Sequence, residues 1–261
     1  MRVFLMTDLE GIAGVESIEQ MDRAGAHYAD ICRKLEQSIN AAVDTCFQNG
    51  ANTVYYLDGH GGGGNVLPEN IDPRAIRCKD VHVWSDLVRQ RAFDCQLELG
   101  AHARAGSVGG FLDHTLNSKQ LFCVKHNGVE MSEVSLHATL CAKYGIPVVG
   151  VTGCETACVQ AKQYIPGIVT GAVKVAYCRN VAKTYETAEQ ILRNAVASGL
   201  QNWKGIPLIS YAEPLTVEQI YYRSDFCEEK LATCGSETKR MDARTLQKTV
   251  NEIRTYGDLK F

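Results

Sequence analysis

The sequence predicts an α/β fold: a mostly parallel sheet with helices on both faces, plus a smaller α+β piece at the C-terminal end. Three observations carry the prediction. Short continuous apolar runs alternate with helical patterns from the N-terminus to about residue 200, which is how strands covered on both faces are written. Several of those runs end in an acid or a histidine beside glycine, as do the loops that leave a parallel sheet. Beyond Trp203-Lys204-Gly205 the alternation stops. The expected division is a core over residues 1–204 and a smaller α+β subdomain over 205–261.

The first run, Val3-Phe4-Leu5-Met6, leads into Asp8 and Glu10 and then Gly11 and Gly14. If strand conformation persists, residues two apart share a face, so the two carboxylates lie roughly 7 Å apart. From Tyr28 to Asn49, Ile31, Leu35, Ile39, Ala42, Val43, Cys46 and Phe47 recur at helical spacing, with Gly50 as the C-terminal cap. Thr53–Leu57 is the second strand; it ends in Asp58-Gly59-His60, then Gly61 to Gly64 and Asn65. Val81–Leu87 reads as strand or as helix start. Cys95–Gly100 runs into His102 and Arg104, and Gln120–Lys125 turns at Asn127-Gly128, a hairpin signal. Ser132 caps the next helix with Glu133 in its first turn, and Gly145 ends it. Pro147–Gly153 and Ile168–Ala176 are strands, separated by a helix to about Tyr164; Thr187–Leu200 is an amphipathic helix. In the tail, Leu215–Tyr222 reads as a strand and Ala243–Tyr256 as a helix between Asp242 and Gly257.

The chain has 261 residues, 45% of them hydrophobic, so a sizeable core can be built. A formal charge of −3 without a basic run excludes nucleic acid or an anionic membrane as the expected partner. No 18-residue apolar span occurs, and Asp8 and Glu10 interrupt the first run too early for a signal-peptide core, so a cytoplasmic protein is expected. The eleven cysteines include no CxxC pair. They read as small buried hydrophobes in a reducing compartment.

The chemistry gathers at the run ends. Asp8, Glu10, His60 and His102 all follow apolar runs, and Glu133 sits at a loop-to-helix junction. Three carboxylates and two imidazoles suit zinc or another first-row divalent ion, and five donors exceed the needs of one catalytic zinc. Two like charges as close as Asp8 and Glu10 repel unless something positive lies between or beside them or one takes up a proton, and a cation is the obvious candidate. Each residue has a plainer reading by itself: His60 as a loop residue, Asp8 and Asp58 as turn formers or caps, Glu133 as a helix-dipole partner. The Gly61–Gly64 run lacks both the Gly-Lys-Ser/Thr ending of a P-loop and the GxGxxG spacing.

Taken together, Asp8-Leu9-Glu10-Gly11-Ile12 with Gly14, Asp58-Gly59-His60 with Asn65, Gly100-Ala101-His102-Ala103-Arg104-Ala105, His114-Thr115, the Asn127 turn leading to Ser132-Glu133, and Val173-Lys174 resemble the zinc D-aminopeptidase family encoded with dipeptide transporters. The resemblance covers nearly the whole chain and is clearest to about residue 180. It implies Asp8, Glu10, His60, His102 and Glu133 as ligands of two Zn²⁺ ions per subunit, with Asp8 bridging, and His114 as the catalytic group. It also implies a peptide substrate, plausibly one beginning with a D-residue, and a ring-like homo-oligomer, decameric in the family. Asp58 and Asn65 are candidates to orient ligands, and Arg104 to receive a substrate carboxylate or to form a structural ion pair. The chain departs from the family pattern at His137, where Asn is usual, and at Gly153-Cys154-Glu155, where Gly-Asp-Asp is usual. Two alternatives stay open: a two-metal phosphoesterase, and a non-catalytic ring-forming binding protein of the same fold.

Overall fold

A computed structural model describes residues 1–261. In chain order the elements are β1 (Arg2–Thr7), α1 (Tyr28–Gln48), β2 (Thr53–Asp58), β3 (Ala75–Arg77), α2 (Val81–Arg89), β4 (Cys95–Ala101), β5 (Leu121–His126), β6 (Val129–Glu130), α3 (Glu133–Lys143), β7 (Val148–Cys154), α4 (Glu155–Tyr164), β8 (Val169–Cys178), β9 (Val181–Thr184), α5 (Ala188–Gln201), β10 (Leu215–Tyr221), α6 (Ser224–Leu231), β11 (Lys239–Arg240) and β12 (Thr245–Val250). No helix is long and apolar enough to cross a membrane.

Seven strands form one sheet in the order β3-β2-β1-β4-β7-β8-β9, parallel except for the antiparallel edge pair of β8 and β9. The apolar runs behave as the alternation requires: every residue of β4 and of β7 is buried. Helix α1 turns Ile31, Leu35, Ile39, Val43 and Cys46 inward and stops at Gly50, whose φ of 85° suits glycine. The ambiguous segment at Val81 is helical because Asp80 caps it, accepting from the His82 and Val83 backbone N–H groups at 2.9 Å, and because Trp84 and Val88 are buried on one face.

The second sheet, β11-β12-β10-β5-β6, is antiparallel. It draws two strands from residues 121–130, joined by the expected turn with Asn127 at φ 47° and Gly128 at φ 81°. One hydrophobic core runs through both sheets, from Phe4 and Trp84 to Leu246 and Leu259. The helix expected over Ala243–Tyr256 is not formed. Leu246, Val250 and Ile253 have helical spacing, but Thr245–Val250 pairs with β10 on one side and β11 on the other, and the inter-strand hydrogen bonds decide its conformation. Gly257 lies within a short 3-10 turn, Tyr256–Leu259.

Candidate metal centre

The ends of β1, β2 and β4, which are neighbours in the sheet, bring the first donors together. Strand conformation stops at Thr7, so the expected shared strand face of Asp8 and Glu10 is replaced by a turn. That turn is tied to β4: the Asp8 N–H donates to the Leu99 carbonyl and the Gly11 N–H to the Gly100 carbonyl, each at 2.8 Å. The approach requires glycine at position 100, where φ is 77° and a Cβ would lie 2.1 Å from the Asp8 carbonyl oxygen. Beneath the turn, the fully buried Lys174 donates from Nζ to the carbonyls of Glu10 at 2.8 Å and Val15 at 2.5 Å. Burial lowers the Lys174 ammonium to about 7, against which nearby acidic groups pull upward.

Strand β2 likewise ends at Asp58, so Asp58 and His60 do not share a strand face; His60 opens a single 3-10 turn. Asp58 turns to Asn65, accepting from its backbone N–H at 2.7 Å and its Nδ2 at 2.8 Å. Asn65 Nδ2 also donates to the His60 carbonyl at 2.8 Å, which closes the glycine loop. His102 follows β4, and its Nδ1 donates to the Ala103 carbonyl at 3.0 Å, leaving Nε2 toward the carboxylates. Glu133 begins α3 after the Ser132 cap, with Oε1 accepting from the Leu116 N–H at 2.8 Å.

Six side chains meet. His60 Nδ1 lies 2.9 Å from Glu10 Oε2 and 3.3 Å from Asp8 Oδ1. His102 Nε2 lies 3.2 Å from Asp8 Oδ2 and 3.5 Å from Glu133 Oε1. Asp8 thus turns one oxygen to each imidazole. His114 stacks on His102 with ring centres 3.9 Å apart, donates from Nδ1 to the Leu112 carbonyl at 2.8 Å, and points Nε2 at Glu133 and Glu10 from 3.8 and 3.9 Å. The donors fall into two triplets, Asp8-Glu10-His60 and His102-His114-Glu133, either able to hold an ion.

The electrostatics fit a cation-binding cluster. Burial pulls His60 down, but hydrogen bonds and charge from Asp8 and Glu10 outweigh it and lift the imidazole to about 10. His102 is likewise raised, burial being overcome by Glu133 and Asp8. Burial pushes Glu133 up, yet the His102 charge carries it down to about 2, and Asp8 falls well below the ordinary range through His102 and His60 against its own burial. The metal-free cluster therefore recruits protons onto its imidazoles to balance its carboxylates. A divalent ion supplies that positive charge and leaves the imidazoles neutral.

Arg104 stands apart from this cluster's hydrogen bonds: its Nη2 pairs with Glu130 Oε2 at 3.0 Å, and its backbone N–H donates to Gln160. His137 Nδ1 lies 3.2 Å from Glu98 Oε2, both buried, beneath the edge of Trp84. Cys154 is buried at the end of β7, and Glu155 opens α4 with its carboxylate on the Tyr185 hydroxyl. A cavity of about 500 Å³ has Asp8, His102 and Glu133 in one wall and Glu98, His137, Tyr256 and Lys260 among its other residues. Sequence reasoning passed over Glu98, Tyr256 and Lys260. A lone acid inside the otherwise apolar run Cys95–Gly100 was the available signal for Glu98; the two tail residues carried none while their segment read as a helix end.

A carboxylate–imidazole cluster at the carboxyl ends of a parallel sheet, opening on a cavity, defines an α/β protein with a candidate metal-binding site. The chain belongs to the D-aminopeptidase family, whose model matches residues 1–258. It is 29% identical over 209 residues to a D-aminopeptidase of Bacillus subtilis (strain 168), covering 77% of this chain and 74% of the relative. The fold matches that of the Zn-dependent D-aminopeptidase DppA from Bacillus subtilis, described as a self-compartmentalizing protease, with a TM-score of 0.90 at 22% identity over 99% of this chain and 95% of the other.

Proposed function

We propose that the chain is a dinuclear zinc aminopeptidase that removes the N-terminal residue from short peptides, plausibly D-amino-acid peptides. The observation that carries the reading is Asp8, whose two oxygens face the imidazoles of different triplets as a bridging carboxylate would. Glu10 and His60 complete the set for one Zn²⁺, and His102 and Glu133 that for the other. Zinc, when bound, supplies Lewis acidity toward the scissile carbonyl and a water acidic enough to furnish hydroxide near neutral pH.

The chain's own groups do the rest. His114, its Nδ1 proton held by the Leu112 carbonyl, presents Nε2 to the centre, where it can take a proton from the attacking water and pass it to the departing amine, or attack the carbonyl as a nucleophile. Asp58 and Asn65 fix the loop that carries His60. The Arg104 fork is engaged by Glu130, which supports its reading as a structural ion pair over that as receiver of a substrate carboxylate. Self-association into a ring is part of the proposal, on the strength of the self-compartmentalizing neighbour, with a decamer as the expected size. Cytoplasmic residence is supported by eleven free cysteines, eight of them buried.

The test is turnover of D-alanyl dipeptides by zinc-loaded, chelator-stripped and re-loaded protein, beside generic phosphoesters and metal analysis. Release of D-alanine that vanishes on stripping and returns with zinc is expected. Phosphoester cleavage alone, or protein that takes up no divalent metal, would overturn the reading.

A further inference from the structure

Two polar side-chain groups from the end of the chain line the cavity beside the metal centre without a hydrogen-bond or ion-pair partner. Lys260 Nζ sits 4.4 Å over the Tyr256 ring and enters no ion pair or hydrogen bond, whereas the carboxylates around the cavity are already engaged. Asp58 is held by Asn65, Asp80 caps α2, Glu98 faces His137, and Glu133 and Asp8 face imidazoles. The Tyr256 hydroxyl also makes no hydrogen bond; only its backbone N–H does, to Ser85 Oγ at 3.1 Å. Its ring packs edge-on against Trp84 and tilted at 40° against His137, each with ring centres 5.3 Å apart, so the ring is fixed.

The segment that presents these groups is built to stay in place. His126 Nε2 donates to the Leu259 carbonyl at 2.8 Å, and Lys248 Nζ donates to the carbonyls of Gly257 at 3.2 Å and Lys260 at 2.6 Å. Burial lowers the Lys260 ammonium, and the largest opposing influence is the Glu133 carboxylate, which places Lys260 within the field of the metal centre. A second cavity cation, Lys79, is solvent-exposed and has no such fixed seat.

We infer that Lys260 Nζ and the Tyr256 hydroxyl form a carboxylate-binding subsite, and that its occupant is the C-terminal carboxylate of a short peptide whose amino end lies at the metals. The inference rests on the aminopeptidase reading for the identity of the peptide. An ammonium and a phenol that line one cavity from a pinned turn are the donors a carboxylate accepts from. The cavity, at about 500 Å³, is within the range of about 300–1,000 Å³ typical of small-ligand pockets.

The test compares D-alanyl-D-alanine with its C-terminal carboxamide on the zinc-loaded full chain. In parallel, calorimetry measures binding of the reduced-bond isostere of that dipeptide, in acid and carboxamide forms. The acid should be preferred by about 10- to 100-fold in kcat/KM and in affinity, the worth of one charge-assisted hydrogen bond. Lys260→Met should collapse that ratio toward one, Lys260→Arg should keep most of it, and Tyr256→Phe should lower it less than Lys260→Met does. Equal cleavage of acid and carboxamide by the unmodified enzyme, or an acid preference that survives in Lys260→Met, would overturn the subsite. If neither peptide is cleaved but the isosteres show a Lys260-dependent acid preference, the subsite stands and the aminopeptidase reading falls. If neither cleavage nor preference is seen, both fall.

Discussion

Replacing Asn65 by alanine should loosen the His60 loop without touching a proposed ligand. Gly61 to Gly64 have φ values of 55°, 83°, 88° and 86°, so the loop between His60 and Asn65 has almost no conformational preference of its own. Its shape is imposed by the buried Asn65. The side chain donates to Asp58 Oδ1 and to the His60 carbonyl, and its Oδ1 accepts from the Tyr28 hydroxyl at 2.5 Å. Asn65→Ala removes all three, together with the long bond that Arg23 Nη2 donates to the same Oδ1 at 3.4 Å, and leaves the backbone bond to Asp58. Two neutral bonds at about 1 kcal/mol each and one to a carboxylate at about 1.5–3 kcal/mol sum to roughly 4 kcal/mol of lost stability. At about 2–4 °C per kcal/mol for a chain of this size class, Tm should fall by roughly 10 °C. Zinc affinity at the triplet containing His60 should drop by about 10- to 100-fold, as when a partner that orients a ligand is lost. Thermal unfolding of the metal-free protein measures the first quantity and competition with a zinc chelator the second. An Asn65→Ala protein with unchanged Tm and unchanged affinity for both ions would refute the reasoning; a lower Tm with intact affinity would refute only its extension to His60.

Two further outcomes follow from the site. Because the metal-free fold raises His60 to about 10 and His102 well above its ordinary value, zinc must displace protons even at neutral pH. Apparent affinity should rise by about tenfold per pH unit for each proton displaced, up to about pH 10 at His60, and fall correspondingly toward pH 5; chelator competition across that range checks it, and a pH-independent affinity would contradict it. Gly100→Ala should abolish zinc binding or soluble expression, since its Cβ would strike the Asp8 carbonyl at 2.1 Å from a backbone with φ of 77°; expression trials with metal analysis would decide.

Much of the centre was legible because parallel topology turns sequence order into spatial order. Asp8, His60 and His102 follow three runs that become adjacent strands, and an apolar run ending in a polar residue marks the carboxyl edge of such a sheet. Glu133 was legible from the Ser132 cap. What local pattern could not convey was the geometry at those ends. The shared strand face expected for Asp8 and Glu10 presumed that the strand continued, whereas hydrogen bonds from Asp8 and Gly11 to residues 99 and 100, far along the chain, force a turn. The family resemblance, not the periodicity, is what proposes ligands rather than turn formers at these positions.

The misread tail shows the same limit with a functional consequence. Helical spacing at Leu246, Val250 and Ile253 competed with pairing to β10 and β11, and such non-local hydrogen bonds leave no mark in a short window. Read as a helix, Ala243–Tyr256 places Tyr256 at a terminus with no assigned surroundings. Formed as a strand and a short turn, the same residues bring Tyr256 against Trp84 and His137 and set Lys260 over its ring. The cavity consequently has the metal-ligand candidates of the first sheet in one wall and the last residues of the chain in another. Chemistry is legible where donors repeat at strand ends, whereas the residues that would choose the substrate come from the stretch whose conformation depends most on distant partners. His137 is in that cavity as well, paired to the buried Glu98. Differences in substrate preference among relatives should therefore concentrate around this cavity, while Asp8, Glu10, His60, His102 and Glu133 stay fixed.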